Sequence, residues 1–142
     1  MIIIDTNVLL HSINVNSPLH QAGKNFLEKS LAENEFYGFT WGIIYEFFRV
    51  ATHPAIFAQP LTFNEANQFI HDFLGAANFF VSTETELHFQ AIEDCRQKVL
   101  RLSGNLLHDF HTAVLMHEHG IKDIVTYDTD FKAFPWVNII TI

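Results

Sequence analysis

Residues 1–10 read MIIIDTNVLL, and residues 121–128 read IKDIVTYD. Each stretch is a short apolar run that ends at an acid, Asp5 in the first and Asp128 in the second. Short apolar runs of this kind are typical of strands buried on both faces of a parallel sheet. Because ligands bind beyond the carboxyl ends of such strands where strand order reverses, we expect Asp5 and Asp128 to face each other if the two strands are neighbours.

Between these strands the chain alternates between helix and strand patterns. The segments EFYGFT (35–40), NFFVS (78–82) and FPWVNIITI (134–142) predict three further strands. Apolar periodicity predicts helices over about 17–33, 41–52, 62–76, 83–101 and 106–120. No linker, repeat or low-complexity segment interrupts this order, so the sequence predicts one α/β domain over residues 1–142 with a parallel sheet.

Cap residues support the predicted helix ends. Ser17 followed by Pro18 fits the start of the first helix, and Thr40 can cap the second. Thr62 with Glu65 three residues later forms a capping-box pattern. Gly120 is the kind of residue that closes a helix at its carboxyl end.

Composition limits the class of protein. The chain has 142 residues, of which 49% are hydrophobic and 15 are Phe, which predicts a folded globular core and excludes a disordered or fibrous protein. Its single cysteine, Cys95, cannot form an intramolecular disulfide, and a buried hydrophobic role is the default for it. The N-terminus lacks the basic region of a signal peptide, and no apolar run reaches the ~20 residues that span a bilayer. We expect a soluble, cytoplasmic protein.

Two further acids lie inside predicted helices. Glu46 is set among large apolar neighbours in IIYEFFRV, so it marks either the solvent side of that helix or a cleft, with Arg49 on the same face. Asp109 lies near the start of its helix, where an acid also favours the helix dipole. Asp5 and Asp128 could likewise be turn or cap residues. The functional interpretation therefore depends on the four acids as a set.

Bringing four carboxylates together is costly unless a cation joins them. At an effective dielectric near 20, two charges 4 Å apart repel by about 4 kcal/mol. Mg²⁺ and Mn²⁺ take oxygen ligands, and paired ions of this kind assist phosphodiester cleavage. Two such ions would also shift the formal net charge from −8 to about −4 and place positive charge at the site.

These segments together resemble the PIN-domain family, and more closely its VapC toxins from prokaryotic toxin–antitoxin pairs. IIIDTNVLL is similar to the family's opening strand with its first acid, and YEFFRVATHPAIF to the helix with the second in one VapC subgroup. GNLLHDFHTAVLMHEHG and IVTYDTDF are similar to the segments with the third and fourth acids. The resemblance covers essentially the whole chain, with the four motifs in the family's order.

The resemblance implies a three-layer α/β/α sandwich with a central parallel sheet of about five strands. It implies an endoribonuclease that depends on Mg²⁺ or Mn²⁺ and hydrolyses RNA with a metal-activated water, a homodimer, and inhibition by a small VapB-like antitoxin. The catalytic and metal-binding acids it implies are Asp5, Glu46, Asp109 and Asp128. Asn7 and Thr126 match polar positions beside them, and Asp130 is either a further ligand or an outer residue.

Some features depart from this pattern or leave RNA binding open. Family members usually have a small residue after the third acid, whereas Phe110 follows Asp109 here. A net charge of −8 is unusual for a protein that binds RNA. The basic residues available for RNA are Arg49 and a cluster that is also compatible with a solvated helix face, namely Arg96, Lys98 and Arg101.

Other sites are less well supported by the sequence. Nine histidines suggest a metal site, especially His108, His111, His117 and His119, but no HExxH motif occurs and His117 and His119 lie on different helix faces, so we do not predict a histidine metal site. The lack of a Gly-rich phosphate loop argues against a nucleotide cofactor. Two alternatives remain: a metal-dependent phosphomonoesterase, although Asn7 replaces the second aspartate of the usual nucleophile motif, and an inactive RNA- or protein-binding module.

Overall fold

A five-stranded parallel sheet forms the centre of the molecule. The structure is a computed structural model that describes residues 1–142. The strands are β1 (Ile2–Ile4), β2 (Tyr37–Thr40), β3 (Phe79–Ser82), β4 (Asp123–Val125) and β5 (Asn138–Ile140). Their order across the sheet is β3-β2-β1-β4-β5, so β1 and β4 are neighbours and the order of the chain reverses between them. This confirms the expected sheet and its switch point.

Six helices cover the two faces of the sheet. They are α1 (Thr6–Ile13), α2 (His20–Ala32), α3 (Trp41–Ala51), α4 (Phe63–Leu74), α5 (His88–Arg96) and α6 (Leu106–Glu118), with a short 3-10 helix at Asp130–Ala133. Right-handed crossovers between parallel strands place α1 to α4 on one face and α5 and α6 on the other. The packing agrees, since α1 contacts α2 and α3, α3 contacts α4, and α5 contacts α6. The result is the expected three-layer sandwich.

The helix ends follow the cap residues in most places. Thr40 accepts a hydrogen bond from the amide of Ile43 at the start of α3, and Thr62 and Glu65 form both halves of a capping box at α4. Gly120 has a φ of 66° after α6, and the amide of Ile121 donates to the carbonyl of Met116. That pair is a Schellman ending, which a glycine allows because it adopts positive φ without strain.

Three helices differ from the sequence prediction. Helix α1 was not predicted, because it begins one residue after β1 and its apolar residues continue the strand's apolar run. Helix α2 begins at His20 rather than 17, since the Ser17 hydroxyl accepts from the Leu19 amide in a preceding turn. Helix α5 is shorter than 83–101, because Thr85 is bonded to Glu118 of α6 rather than to a helix.

Phenylalanine rings fill much of the core, as the composition predicts. Phe39 on β2 is fully buried, with its ring centroid 6.3 Å from that of Phe73 and 5.7 Å from that of Phe79. Phe47 of α3 stacks on Phe69 of α4 with centroids 5.1 Å apart. None of the six helices is long and apolar enough to cross a membrane.

Replacing Phe39 by alanine should destabilise the fold by about 3–5 kcal/mol, because the change removes a buried ring and leaves a cavity. Phe36, three residues earlier and 52% exposed, is the matched control. Phe36→Ala should change the free energy of unfolding by no more than about 0.5 kcal/mol. Urea unfolding of both variants measures the difference, and equal losses would contradict this account of the core.

Candidate active site

Asp5 is held at the carboxyl end of β1 by three hydrogen-bond donors. It is 9% exposed, and its Oδ1 accepts from the Thr6 amide at 2.7 Å. Its Oδ2 accepts from Asn7 Nδ2 at 2.7 Å and from the Thr126 hydroxyl at 2.6 Å. Burial raises the pKa of Asp5 to about 6, against the lowering effect of the bonds from Thr126 and Thr6. Asp5 also caps α1, which confirms the expectation that it could be a cap residue.

Asn7 and Thr126 join the ends of β1 and β4. Asn7 Nδ2 donates to the Thr126 hydroxyl oxygen at 2.9 Å, and Asn7 Oδ1 accepts from the Tyr127 amide at 3.2 Å. The Thr126 hydroxyl accepts from the Asp128 amide at 2.9 Å while donating to Asp5. Asp128 lies three residues beyond the end of β4 rather than at the end itself, and Thr126 fixes that loop relative to Asp5.

Three further aspartates meet beside Asp5. Asp109, in the first turn of α6, offers a carboxylate oxygen within 4.8 Å of oxygens from Asp128 and Asp130. The Asp130 amide donates to Asp128 Oδ1 at 2.8 Å. Burial, and then repulsion from Asp128, Asp5 and Asp130, raises the pKa of Asp109 to about 7. We call these four residues, Asp5, Asp109, Asp128 and Asp130, the carboxylate cluster.

Asp130 lies in this cluster with Asp109 and Asp128, where the sequence left open a further ligand or an outer residue. The signal was present in the sequence, because Asp128 and Asp130 form an Asp-Thr-Asp step just after an apolar strand. The Asp128 side chain caps the turn between the two, so both acids stay at the same end of β4.

Glu46 lies at the edge of the cluster instead of inside it. Its side chain is 45% exposed, and Arg49 binds both of its oxygens, with Nη2 to Oε1 at 2.6 Å and Nε to Oε2 at 2.9 Å. The bonds from Arg49 lower the pKa of Glu46 against the effect of burial, and the charge of His108 lowers it further. Repulsion from Glu46 nevertheless contributes to the raised pKa of Asp5. Glu46 is thus partly solvated, and it lies close enough to Asp5 to affect the pKa of that residue.

The basic cluster at the end of α5 does not form a continuous positive face. Arg96 Nη2 is paired with Glu93 at 2.7 Å, and the ammonium of Lys98 lies 5.7 Å from the ring centroid of Trp136. Both charges are thus engaged within the protein. Arg101 is exposed.

The carboxylate cluster has the chemistry of a site for a hard cation. None of its four carboxylates forms a salt bridge with Lys, Arg or His. The donors around Asp5 are neutral, so they orient its oxygens without cancelling the charge. An all-oxygen ligand set of this kind fits Mg²⁺ or Mn²⁺ better than softer metals.

We expect the metal-free protein to lose stability as pH rises from about 4 to about 7. The folded state raises the pKa of Asp109 from 3.8 to about 7, so in that window the folded chain holds a proton that the unfolded chain has released. Asp109→Asn removes its own part of this linkage and should make the fall in Tm measured in EDTA shallower, while Asp5, whose pKa is raised to about 6, keeps a smaller part. Asp72→Asn, on the exposed side of α4, should keep the slope of the unmodified protein. An unchanged slope in Asp109→Asn would disprove the crowding of these charges.

We compared the sequence with protein-family models and with known proteins. No protein-family model matches the sequence. Ribonuclease VapC37 of Mycobacterium tuberculosis is 34% identical over 140 residues, which cover 96% of this chain and 94% of that protein. Ribonuclease VapC48 of the same organism is 30% identical over 143 residues, which cover 95% and 92%.

Solved structures share the fold at lower sequence identity. VapBC2 from Rickettsia felis, bound to a DNA fragment from its promoter, has a TM-score of 0.68 at 16% identity and covers 99% of this chain and 98% of its own. VapC20 of Mycobacterium tuberculosis, a Sarcin-Ricin loop cleaving toxin, has a TM-score of 0.65 at 18% identity, with coverages of 97% and 99%. With a fold shared at full length and curated relatives at 30% identity or more, the chain belongs to the VapC family of PIN-domain ribonucleases.

Proposed function

We propose that this chain is a toxin of the VapC type, an endoribonuclease that depends on Mg²⁺ or Mn²⁺ and is inhibited by a small VapB-like antitoxin. The observation that carries the proposal is the carboxylate cluster, in which four aspartates from three distant stretches of chain meet without a basic partner. Relatives named ribonucleases along nearly the full length support the reaction class. We also propose that residues 1–142 act as one domain.

Within this proposal, the aspartates have different roles. Asp109, Asp128 and Asp130 would hold the cation, since their oxygens already converge, and Asp5 would complete the set from β1. A divalent cation bound there would lower the pKa of a water molecule and stabilise negative charge on the phosphate. Asn7 and Thr126 are positioning residues, because their hydrogen bonds fix the orientation of the Asp5 carboxylate.

Glu46 would act from the edge of the cluster. Its carboxylate is exposed and ionised beside Arg49, which suits a group that orients a water molecule or receives a proton at its Oε atoms. Arg49 is the only basic residue of that helix, and its side chain is 61% exposed. We propose that Arg49 contacts an RNA phosphate from its Nη1 side, because Glu46 takes only Nε and Nη2 and a guanidinium can bond a phosphate as well.

An exposed aromatic surface beside this helix suits the antitoxin. Tyr45 and Phe63 are 68% and 59% exposed, and the ring of Phe48 joins them at centroid distances of 6.1 and 5.3 Å. Tyr45 lies one turn before Arg49 on the same helix face. A protein seated on these rings would border the Glu46–Arg49 pair and obstruct RNA, and VapB-containing complexes among the structural neighbours support such a partner. We also propose that this chain binds the antitoxin as a homodimer.

Cleavage of RNA should require both the divalent cation and the aspartates. Asp5→Asn, Asp109→Asn and Asp128→Asn should each lower kcat/KM by about 100-fold or more, because loss of a ligand should exceed the 10–100-fold effect typical of outer partners. Asp123→Asn is the control, since Asp123 begins β4 at the opposite edge of the sheet and bonds to Asn138. Gel assays with EDTA, and then with Mg²⁺ or Mn²⁺ restored, provide the measurement.

Three results would contradict this function. Cleavage that persists in EDTA or in Asp109→Asn would remove the proposed site. Release of inorganic phosphate from small esters without RNA cleavage would favour a phosphomonoesterase. A titration with no binding of Mg²⁺ or Mn²⁺ at millimolar concentration would favour a module that binds without cutting.

The role of Arg49 can be separated from that of Glu46. Arg49→Gln should raise KM for RNA about tenfold with little change in kcat, as expected for about 1.4 kcal/mol of lost phosphate binding. It should also reduce the salt dependence of RNA binding by about one phosphate contact. Arg96→Gln is a matched control, because Arg96 is paired with Glu93 at the same i,i+3 spacing as Arg49 with Glu46. A fall in kcat alone would instead show that Arg49 acts by positioning Glu46.

A further inference from the structure

A second group of side chains of the kinds that bind metals is distinct from the carboxylate cluster. Glu84 follows β3, His88 begins α5, and His111 lies in α6. One ligand atom from each falls within 4.8 Å of the others. His111 Nε2 lies 2.7 Å from Glu84 Oε1, and the rings of His88 and His111 are perpendicular with centroids 5.7 Å apart. Three separate elements therefore converge on one point.

We propose that Glu84, His88 and His111 bind one Zn²⁺ ion. Two imidazoles and a carboxylate are a ligand set that zinc takes readily, with a fourth position left to water. Imidazole nitrogen also favours zinc over Mg²⁺, for which the all-oxygen cluster is better suited. The site would connect the loop after β3 and the start of α5 to the middle of α6.

Glu118 prepares His88 for this role. The Glu118 side chain is only 4% exposed, and its Oε2 lies 2.7 Å from His88 Nδ1. Its Oε1 accepts from the Thr85 amide at 2.8 Å and also from the Thr85 hydroxyl, so the carboxylate is fixed at both oxygens. A carboxylate at Nδ1 holds the proton there and leaves Nε2 as the nitrogen that can coordinate. Carboxylate–histidine pairs of this kind commonly support zinc ligands.

One of the three ligand contacts is already short, and the His88 ligand atom, which lies within 4.8 Å of the other two, would have to move closer to coordinate. Ligand atoms about 2.0–2.2 Å from a tetrahedral ion lie about 3.3 Å from one another. The 2.7 Å contact between Glu84 and His111 would therefore open by about 0.6 Å as the ion replaces the shared proton. Glu84 can make this adjustment because its side chain is 47% exposed, and water can reach the fourth position past His111, which is 37% exposed.

The two groups of ligands are separate sites, although they share α6. His111 follows Asp109 by two residues, and at about 100° per residue this step turns its side chain to roughly the other side of the helix. The partners differ as well, since Asp109 meets acids from the loop after β4 and His111 meets residues that follow β3. The zinc proposal therefore does not depend on the proposed ribonuclease activity.

Zinc titration of the purified chain tests this site without an activity assay. Calorimetry should show one Zn²⁺ bound in the presence of excess Mg²⁺, and Co²⁺ in its place should give visible absorption bands. His88→Ala and His111→Ala should each weaken zinc binding by about 100-fold or more. Glu118→Gln should weaken it by about 10–100-fold, because an amide that donates to Nδ1 moves the proton to Nε2.

Two controls locate the ion. His71→Ala removes an exposed histidine of α4 and should bind zinc like the unmodified chain. Asp128→Asn should also retain zinc binding, and its loss there would assign the ion to the carboxylate cluster and overturn the proposal. Undiminished binding in both His88→Ala and His111→Ala would overturn it too. Circular dichroism in EDTA shows whether each variant is folded. If His88→Ala is unfolded, zinc binding by His111→Ala decides the test, because His111 is only half-buried.

Discussion

Mutual repulsion among four unpaired aspartates is the constraint on which the site depends. The fold brings Asp5, Asp109, Asp128 and Asp130 together and supplies no basic side chain to offset them. It holds Asp5 instead with three neutral donors, which are the backbone amide of Thr6, the side-chain amide of Asn7 and the hydroxyl of Thr126. Neutral donors fix direction without removing charge. The protein thus carries an unfavourable interaction that a cation would turn into binding energy.

The sheet topology explains why the acids come from such distant parts of the chain. Strands β1 and β4 are adjacent although about 120 residues separate them, because the chain first builds one side of the sheet and then returns to build the other. Side chains that follow both strands therefore meet at one edge. The hydroxyl of Thr126 links the two strand ends, so the order of the sheet and the geometry of the site depend on the same contacts.

Local patterns predicted most of the fold, and longer contacts account for what they missed. The apolar runs gave the five strands, and Thr40, Thr62 and Gly120 marked helix ends correctly. Helix α1 was not predicted, because Asp5 directly follows strand β1 and also caps the helix, so no loop separates the two elements. The short α5 depends on Glu118, which lies 33 residues from Thr85. Periodicity alone could not predict that His88 meets His111, or where Glu46 and Arg49 lie relative to the carboxylate cluster. Both depend on how the helices pack against one another.

Charge distribution reconciles the acidity of the chain with a function on RNA. The carboxylate cluster alone accounts for half of the formal net charge of −8. Several remaining acids are neutralised locally, as Glu28, Glu33, Glu46 and Glu93 pair with a lysine or arginine three or four residues away. Surface pairs of this kind contribute little to stability, but they reduce the field that a phosphate meets. A divalent cation in the cluster would offset part of the negative charge of these carboxylates, at the site where we propose that RNA is cut.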